Sequence, residues 1–229
     1  RNMVEGGGEF SPMPGIGLAF RKITKKASLR IAETAFKTAN AKAINKNKKP
    51  KVHAVHKANV MRLTDGIFLD ACRSVSSKYP DIDYNEMLVD ACAAHIVRNP
   101  SQFDVIVTTN MFGDILSDLA TELSGSLGLA GSLNAGDNYA MAQAQHGSAT
   151  DIAGQNIANP ISLILSSAML LNWLGKKRKV ENLVLASSLI DKSVTKLLEN
   201  QTCLTKDLGG TSSTAETTKN LINILKHLI

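Results

Sequence analysis

Between Ile23 and Ile44 the apolar residues Ala27, Ile31, Ala32, Ala35, Phe36, Ala39 and Ala43 recur every three or four positions, with Lys and Arg on the opposite side. That spacing predicts an amphipathic helix, and Asn45-Lys46-Asn47-Lys48-Lys49-Pro50 ends it in a solvated turn. A short apolar run, Val52 to Val55, then leads through His56-Lys57-Ala58-Asn59 into helical spacing from about Asp65 to Lys78. The unit recurs. Glu86-Met87-Leu88-Val89 leads to Asp90 and a helical stretch from Ala91 to Val97, and Phe103 to Val107 leads to Asn110 and a helical stretch from Asp114 to Leu123. Repeated strand and helix alternation predicts an α/β layer fold.

The flanks are less regular. Glu5 to Gly17 holds five glycines and two prolines and reads as turns or a loose arm. The glycine-rich stretch from Gly125 to Gly136 precedes Ala140 to Ala158, which contains His146-Gly147-Ser148. A strongly apolar helix is expected from about Pro160 to Leu174, with Asn159 as its cap. Lys176-Lys177-Arg178-Lys179 reads as a solvated helix end whose cations face the negative end of the helix dipole. Two further helices, Val180 to Asn200 and Thr214 to Leu228, are separated by Gly209-Gly210.

The 229 residues, 44% hydrophobic and 20% charged, suffice for one large domain or two small ones and exclude a disordered chain. Cys72, Cys92 and Cys203 have no CxxC spacing, so they read as small packed hydrophobes rather than zinc ligands. The formal charge of +6 attracts anions without selecting among them. Nucleic acid is disfavoured, because aromatics are 4% of the chain and none lies in the basic runs Lys46 to Lys51 and Lys176 to Lys179, leaving no stacking platform. No run approaches the roughly 20 apolar residues of a membrane span. The expected setting is the cytoplasm, or an organelle matrix.

Asp114 and Asp118 are four apart at the start of an expected helix, so both carboxylates leave one face. Two hard oxygen donors suit Mg²⁺ or Mn²⁺; alternatively Asp114 caps the helix and Asp118 is merely exposed. Asp90 follows an apolar strand, either as a ligand group at its carboxyl end or as a helix cap. Lys57 also closes a strand, and its nearest carboxylate in sequence is Asp65. It is either a surface lysine or a proton-transfer group in a desolvated cleft. The stretch from His146 to Gly154, HGSATDIAG, is small and polar, and Asp151 there could accept hydrogen bonds from a ribose. No GxGxxG follows a strand, so any dinucleotide site is non-Rossmann.

Taken together, Val107-Thr108-Thr109-Asn110-Met111-Phe112-Gly113-Asp114-Ile115-Leu116-Ser117-Asp118, HGSATDIAG, Asn156-Ile157-Ala158-Asn159-Pro160, the upstream His56-Lys57-Ala58-Asn59 and Asp207-Leu208-Gly209-Gly210 resemble the isocitrate and isopropylmalate dehydrogenase family. These are metal-dependent, β-decarboxylating 2-hydroxyacid dehydrogenases. The resemblance implies an isopropylmalate-dehydrogenase-like α/β fold with a non-Rossmann NAD site, truncated at its N-terminus. The segment before residue 1 would carry the substrate-binding arginines and a catalytic tyrosine. It implies Mg²⁺ or Mn²⁺ held by Asp90, Asp114 and Asp118, with Asp90 crossing a homodimer interface. Lys57 would transfer a proton at the substrate, and Asp90 would be catalytic with it. Asn59 would lie near the nicotinamide, His146, Gly147, Ser148 and Asp151 would line the adenosine, and Asn159 would meet the adenine. Thr150 stands where the family carries Pro, leaving Asp151 in register. Residues 1–123 would form most of the smaller dimerisation and substrate domain, and 124–229 the C-terminal part of the nucleotide domain. The alternative is a non-catalytic member of the same family that binds an active partner.

Overall fold

The computed structural model describes residues 8–43, 49–201 and 203–229. The turn expected at Asn45 to Lys48, and Ile44 before it, lie outside them. The chain divides into two compact units, the first ending at Ser117 and the second beginning at Asp118.

The first unit opens with β1 (Glu9–Met13) and β2 (Ile16–Ala19), an antiparallel pair. A loose arm was the expectation here. The strands pair because Gly15, at φ +82°, supplies the left-handed turn residue that a side chain would disfavour. Stacking of Phe10 on Phe20, with centroids 5.7 Å apart, adds to the pairing.

Helix α1 (Lys25–Ala43) follows, its first turn capped by Thr24 Oγ1, which accepts from the Ala27 amide at 3.2 Å. Its apolar stripe packs Ala32, Ala35, Phe36 and Ala39 into a core shared with Phe68, Leu69, Cys72 and Val75 of α2 (Arg62–Ser76). The two helices pack on each other and against a three-stranded parallel sheet, order β4-β3-β5, made of β3 (Lys51–His56), β4 (Asp83–Leu88) and β5 (Val105–Thr108). Val52, Ala54 and Val55 of the central strand are fully buried, as a strand covered on both faces requires. Helix α3 (Val89–Arg98) leaves β4 directly, and α4 (Asn110–Leu123) leaves β5. Because α4 begins at Asn110, Asp114 lies a turn inside it and does not cap it.

The second unit contains the antiparallel pair β6 (Gly131–Ala135) and β7 (Ala140–Ala144), followed by α5 (Ile161–Arg178), α6 (Glu181–Asn200) and α7 (Thr214–Lys226). Ser166 of α5 fastens the hairpin, donating from Oγ to the Gln143 carbonyl at 2.7 Å and accepting from the Ser132 amide at 3.0 Å. Ile161, Val194, Leu197 and Leu221 form the core of this unit. Helix α5 runs through the basic cluster to Arg178, and Lys179 at φ +56° ends it, so the cations occupy its last turn. A reciprocal capping box of Ser213 and Glu216 starts α7. Cys72 and Cys92 pack as hydrophobes, and burial pushes their thiols up to about 12 and about 11. No helix among the described residues is long and apolar enough to cross a membrane.

Candidate active site

Parallel strands end at a common edge, and in this register His56 pairs with Leu88 and Val55 with Thr108. The chain leaves that edge into the turn carrying Lys57 and Asn59, into α3 carrying Asp90, and into α4 carrying Asp114 and Asp118. Carboxyl ends of parallel strands are where loops gather ligand-binding groups. The turn closes when the Lys57 carbonyl accepts from the amides of Val60 at 2.9 Å and Met61 at 2.8 Å. Asn59 sits exposed at its tip.

This geometry joins Lys57 to Asp90, with Nζ donating to Oδ1 at 2.7 Å. Lys57 is the less exposed partner, its side chain retaining 26% of its free accessibility against 64% for Asp90. Exposed pairs of this kind add little stability, so the chief effect of the contact is to orient the ammonium. The Lys57 hydrogen bond, with help from the amides at the start of α3, holds the Asp90 carboxyl below its ordinary value. The pair therefore persists to lower pH than it would with an unshifted aspartate. A lowered folded-state pKa stabilises the fold above the unfolded value, and that contribution disappears as pH drops through the lowered one. Carboxyl-carbon NMR will show Asp90 titrating below the range of free aspartate; a value at or above that range would contradict the pairing.

Asp114 and Asp118 are both exposed on α4, one turn apart. The Asp118 carboxylate accepts from Gln145 Nε2 at 2.9 Å, a contact that the sequence patterns had not singled out. The Asp114 carboxylate has no side-chain partner among the described residues. Carboxylate oxygens alone make a hard donor set that fits Mg²⁺ or Mn²⁺. Among the described residues of one chain, no three His, Cys, Asp or Glu side chains gather as a metal site.

Behind Lys57 lies a network that sequence reading missed. Asp65, fully buried in the first turn of α2, accepts the Lys57 backbone amide on Oδ2 at 2.6 Å and the guanidinium of Arg21 on Oδ1. Arg21 also donates to Thr64 Oγ1 at 3.1 Å and to Thr109 Oγ1 at 2.6 Å, and lies over the Phe112 ring at 5.2 Å. The one available signal was that Asp65 is the carboxylate nearest to Lys57 in sequence.

In the second unit, His146 is exposed, its Nδ1–H donating to the Gly147 carbonyl at 2.8 Å. Gly147 and Ser148 are exposed beside it, and Ala149 at φ +42° turns the chain into the 3-10 turn Thr150–Ile152. Asp151 there is exposed, its carboxylate making no hydrogen bond or ion pair among the described residues, which suits an acceptor for ribose hydroxyls. Asn159, the expected cap of α5, lies one residue ahead of the N-cap Pro160, yet its Oδ1 still accepts from the first helical amide, Ile161, at 3.0 Å, while Nδ2 donates to Asp207 at 2.9 Å. One donor of that amide remains for a ligand. Burial raises the Asp207 carboxyl, but hydrogen bonds from Ser126 and Asn159 more than reverse this and leave it below its ordinary value. Gly128 makes the approach possible, because a Cβ there would lie 2.7 Å from the Asn159 side chain. Gly128→Ala is expected to displace the Asn159 side chain from Asp207 and from the start of α5, lowering the unfolding free energy by about 1 kcal/mol, the contribution of one misplaced hydrogen bond. Unchanged stability in urea denaturation would mean that the side chain holds its place.

Known proteins are similar to this chain over most of its length. The family model for isocitrate/isopropylmalate dehydrogenase matches residues 11–224. Over 218 residues the chain is 43% identical to isocitrate dehydrogenase [NAD] catalytic subunit 5, mitochondrial, of Arabidopsis thaliana, covering 95% of this chain and 55% of that protein. Over 215 residues it is 44% identical to a mitochondrial regulatory subunit of NAD isocitrate dehydrogenase from Dictyostelium discoideum, covering 93% of this chain and 57% of that protein. Among solved structures, isocitrate dehydrogenase from Methylococcus capsulatus superposes with a TM-score of 0.84 at 37% identity, over 96% of this chain and 63% of that one. The chain thus spans little more than half the length of the relatives named. Its α/β fold and its ordered motifs make it a member of the isocitrate/isopropylmalate dehydrogenase family.

Proposed function

We propose that the chain takes part in NAD-dependent, Mg²⁺- or Mn²⁺-dependent oxidative decarboxylation of a 2-hydroxy di- or tricarboxylic acid of the isocitrate or 3-isopropylmalate type. The observation that carries this reading is the 2.7 Å Lys57–Asp90 pair at the carboxyl edge of the parallel sheet. It aligns an amine with a carboxylate where the family chemistry needs a proton-transfer group.

In this reading Asp114 and Asp118 hold the cation together with Asp90 of a second copy, so that a homodimer shares its sites. When bound, the cation would supply Lewis-acid stabilisation of negative charge developing on the substrate, and NAD⁺ would supply the hydride acceptor. Lys57, as the neutral amine, would accept the hydroxyl proton as the carbon–hydrogen bond gives up its electron pair, and Asp90 would favour the ammonium that results. Loss of CO₂ leaves an electron pair on carbon that takes back a proton, so the products are a 2-oxoacid, CO₂ and NADH. Asn59 orients the nicotinamide end, Asp151 accepts from the ribose, and His146, Gly147, Ser148 and Asn159 border the adenosine. Residues 1–123 supply most of the dimerising, substrate-side domain and 124–229 part of the nucleotide domain. The setting is the cytoplasm or an organelle matrix, the second in keeping with the mitochondrial names of two relatives.

Near-equal identity to a catalytic and to a regulatory relative supports a second reading, a non-catalytic member of the same family. Retention of Lys57, Asp90, Asp114 and Asp118 favours the catalytic one, since a chain relieved of chemistry needs none of them.

The test follows NADH formation by the entire natural product of the gene containing these residues, with Mn²⁺, against isocitrate, 3-isopropylmalate, homoisocitrate and tartrate. One acid turns over, the activity disappears with EDTA, and Asp114→Asn loses both turnover and calorimetric Mn²⁺ binding. A folded dimer that turns over none of them would sink the catalytic reading and leave the regulatory one.

A further inference from the structure

We infer that Asp65 is a positioning residue for Lys57, and that Arg21 is the strap tying that position to the start of α4; the inference rests on the reading of Lys57 as the proton-transfer group. Both carboxylate oxygens of Asp65 are engaged. Oδ2 takes the backbone amide of Lys57 at 2.6 Å, the residue whose side chain reaches Asp90, and Oδ1 takes the Arg21 guanidinium. The other arm of Arg21 holds Thr109 at 2.6 Å, the residue immediately before α4, and Asp114 lies in the second turn of that helix. One buried anion thus sets the backbone from which Lys57 extends, and one cation couples it to the helix bearing the Asp114 carboxylate.

Stability by itself does not account for this arrangement. Asp65 is fully buried, and the Arg21 side chain retains only 23% of its accessibility. Removing a carboxylate from water costs several kcal/mol, and apolar residues of equal volume often hold a core as well or better than a buried ion pair. What an apolar pair would not supply is a fixed acceptor for the Lys57 amide. That amide stands just past the last residue of β3, beyond the sheet ladder. Without Asp65, the Lys57 backbone would be held only by its own turn, and a shift of a few tenths of an ångström at the main chain is enlarged along the four-carbon side chain. Placement errors near 1 Å cost about a hundredfold in rate.

The experiment compares Asp65→Asn, Arg21→Gln, Arg21→Lys and Lys57→Met in the entire natural protein. Asp65→Asn is expected to lower kcat about 10- to 100-fold, the range spanned by hydrogen bonds to charged groups, with the Michaelis constants for NAD⁺ and the hydroxyacid within about twofold. Amide hydrogen exchange at residue 57 speeds up in the same variant while Ala54 and Val55 on β3 stay protected, a local loosening that a general loss of stability would not produce. Arg21→Lys, which keeps a cation beside Asp65, retains most of the kcat that Arg21→Gln loses. If Asp65→Asn fails to fold, the Arg21 pair decides. Equal kcat in the Lys and Gln variants, or unchanged exchange at residue 57 in a folded Asp65→Asn protein, would overturn the inference while leaving the site reading intact. Lys57→Met that keeps wild-type turnover would overturn both.

Discussion

Lys57→Met in the entire natural protein will lower kcat roughly a hundred- to ten-thousand-fold, the usual contribution of a positioned proton-transfer group. Methionine keeps the length and apolar stem of the side chain and removes its proton and charge. The fold should tolerate it, because Lys57 is partly exposed and its backbone amide, not its ammonium, is what Asp65 holds. The Michaelis constant for NAD⁺ should stay within about twofold, since a group that acts only in the transition state leaves ground-state binding alone. Asp90, having lost its cationic neighbour, will titrate closer to an ordinary aspartate, which gives a readout independent of turnover. Wild-type turnover with a shifted Asp90 would mean that the pair exists and does no proton transfer.

Phe36→Ala is the largest structural effect expected, a loss of roughly 3–5 kcal/mol in unfolding free energy. Phe36 is fully buried on α1, stacks on Tyr79 with centroids 5.3 Å apart, and meets Tyr84 at 6.1 Å. Truncation therefore removes apolar burial and leaves a cavity bounded by two rings and the central sheet, where neighbours are held on several sides and collapse poorly. Urea denaturation followed by tyrosine fluorescence measures it. A loss below about 1 kcal/mol would mean that α1 shifts to fill the space.

The elements that sequence patterning anticipated are those with a strong period. Helix α1 shows its seven apolar positions at regular spacing, and β3 shows a continuous apolar run because both of its faces are covered. The hairpins β1–β2 and β6–β7 were not anticipated. Their strands are short, rich in Gly, Ser and Ala, and mostly exposed or half-buried, so no apolar alternation marks them. What makes them strands is a glycine turn in one case and the Ser166 side chain in the other, and neither is a property of the strand residues themselves.

The candidate site divides in the same way. Residue type and spacing raised Lys57, Asp90, Asp114, Asp118 and HGSATDIAG only as candidates beside plain structural readings, and the family resemblance is what gave them, and Asn159, expected roles. Sequence also carried the layer architecture, since the alternation of strand and helix is local. Three-dimensional structure alone decided that Lys57 and Asp90, 33 residues apart, meet at 2.7 Å, because the meeting depends on β3 and β4 running parallel and in register. It likewise decided that Arg21 and Asp65, 44 residues apart, share a buried ion pair beneath the Lys57 turn. Periodicity records which face of an element is buried. The partner of a buried charge is set by how separate elements dock, and a one-dimensional pattern holds no term for that.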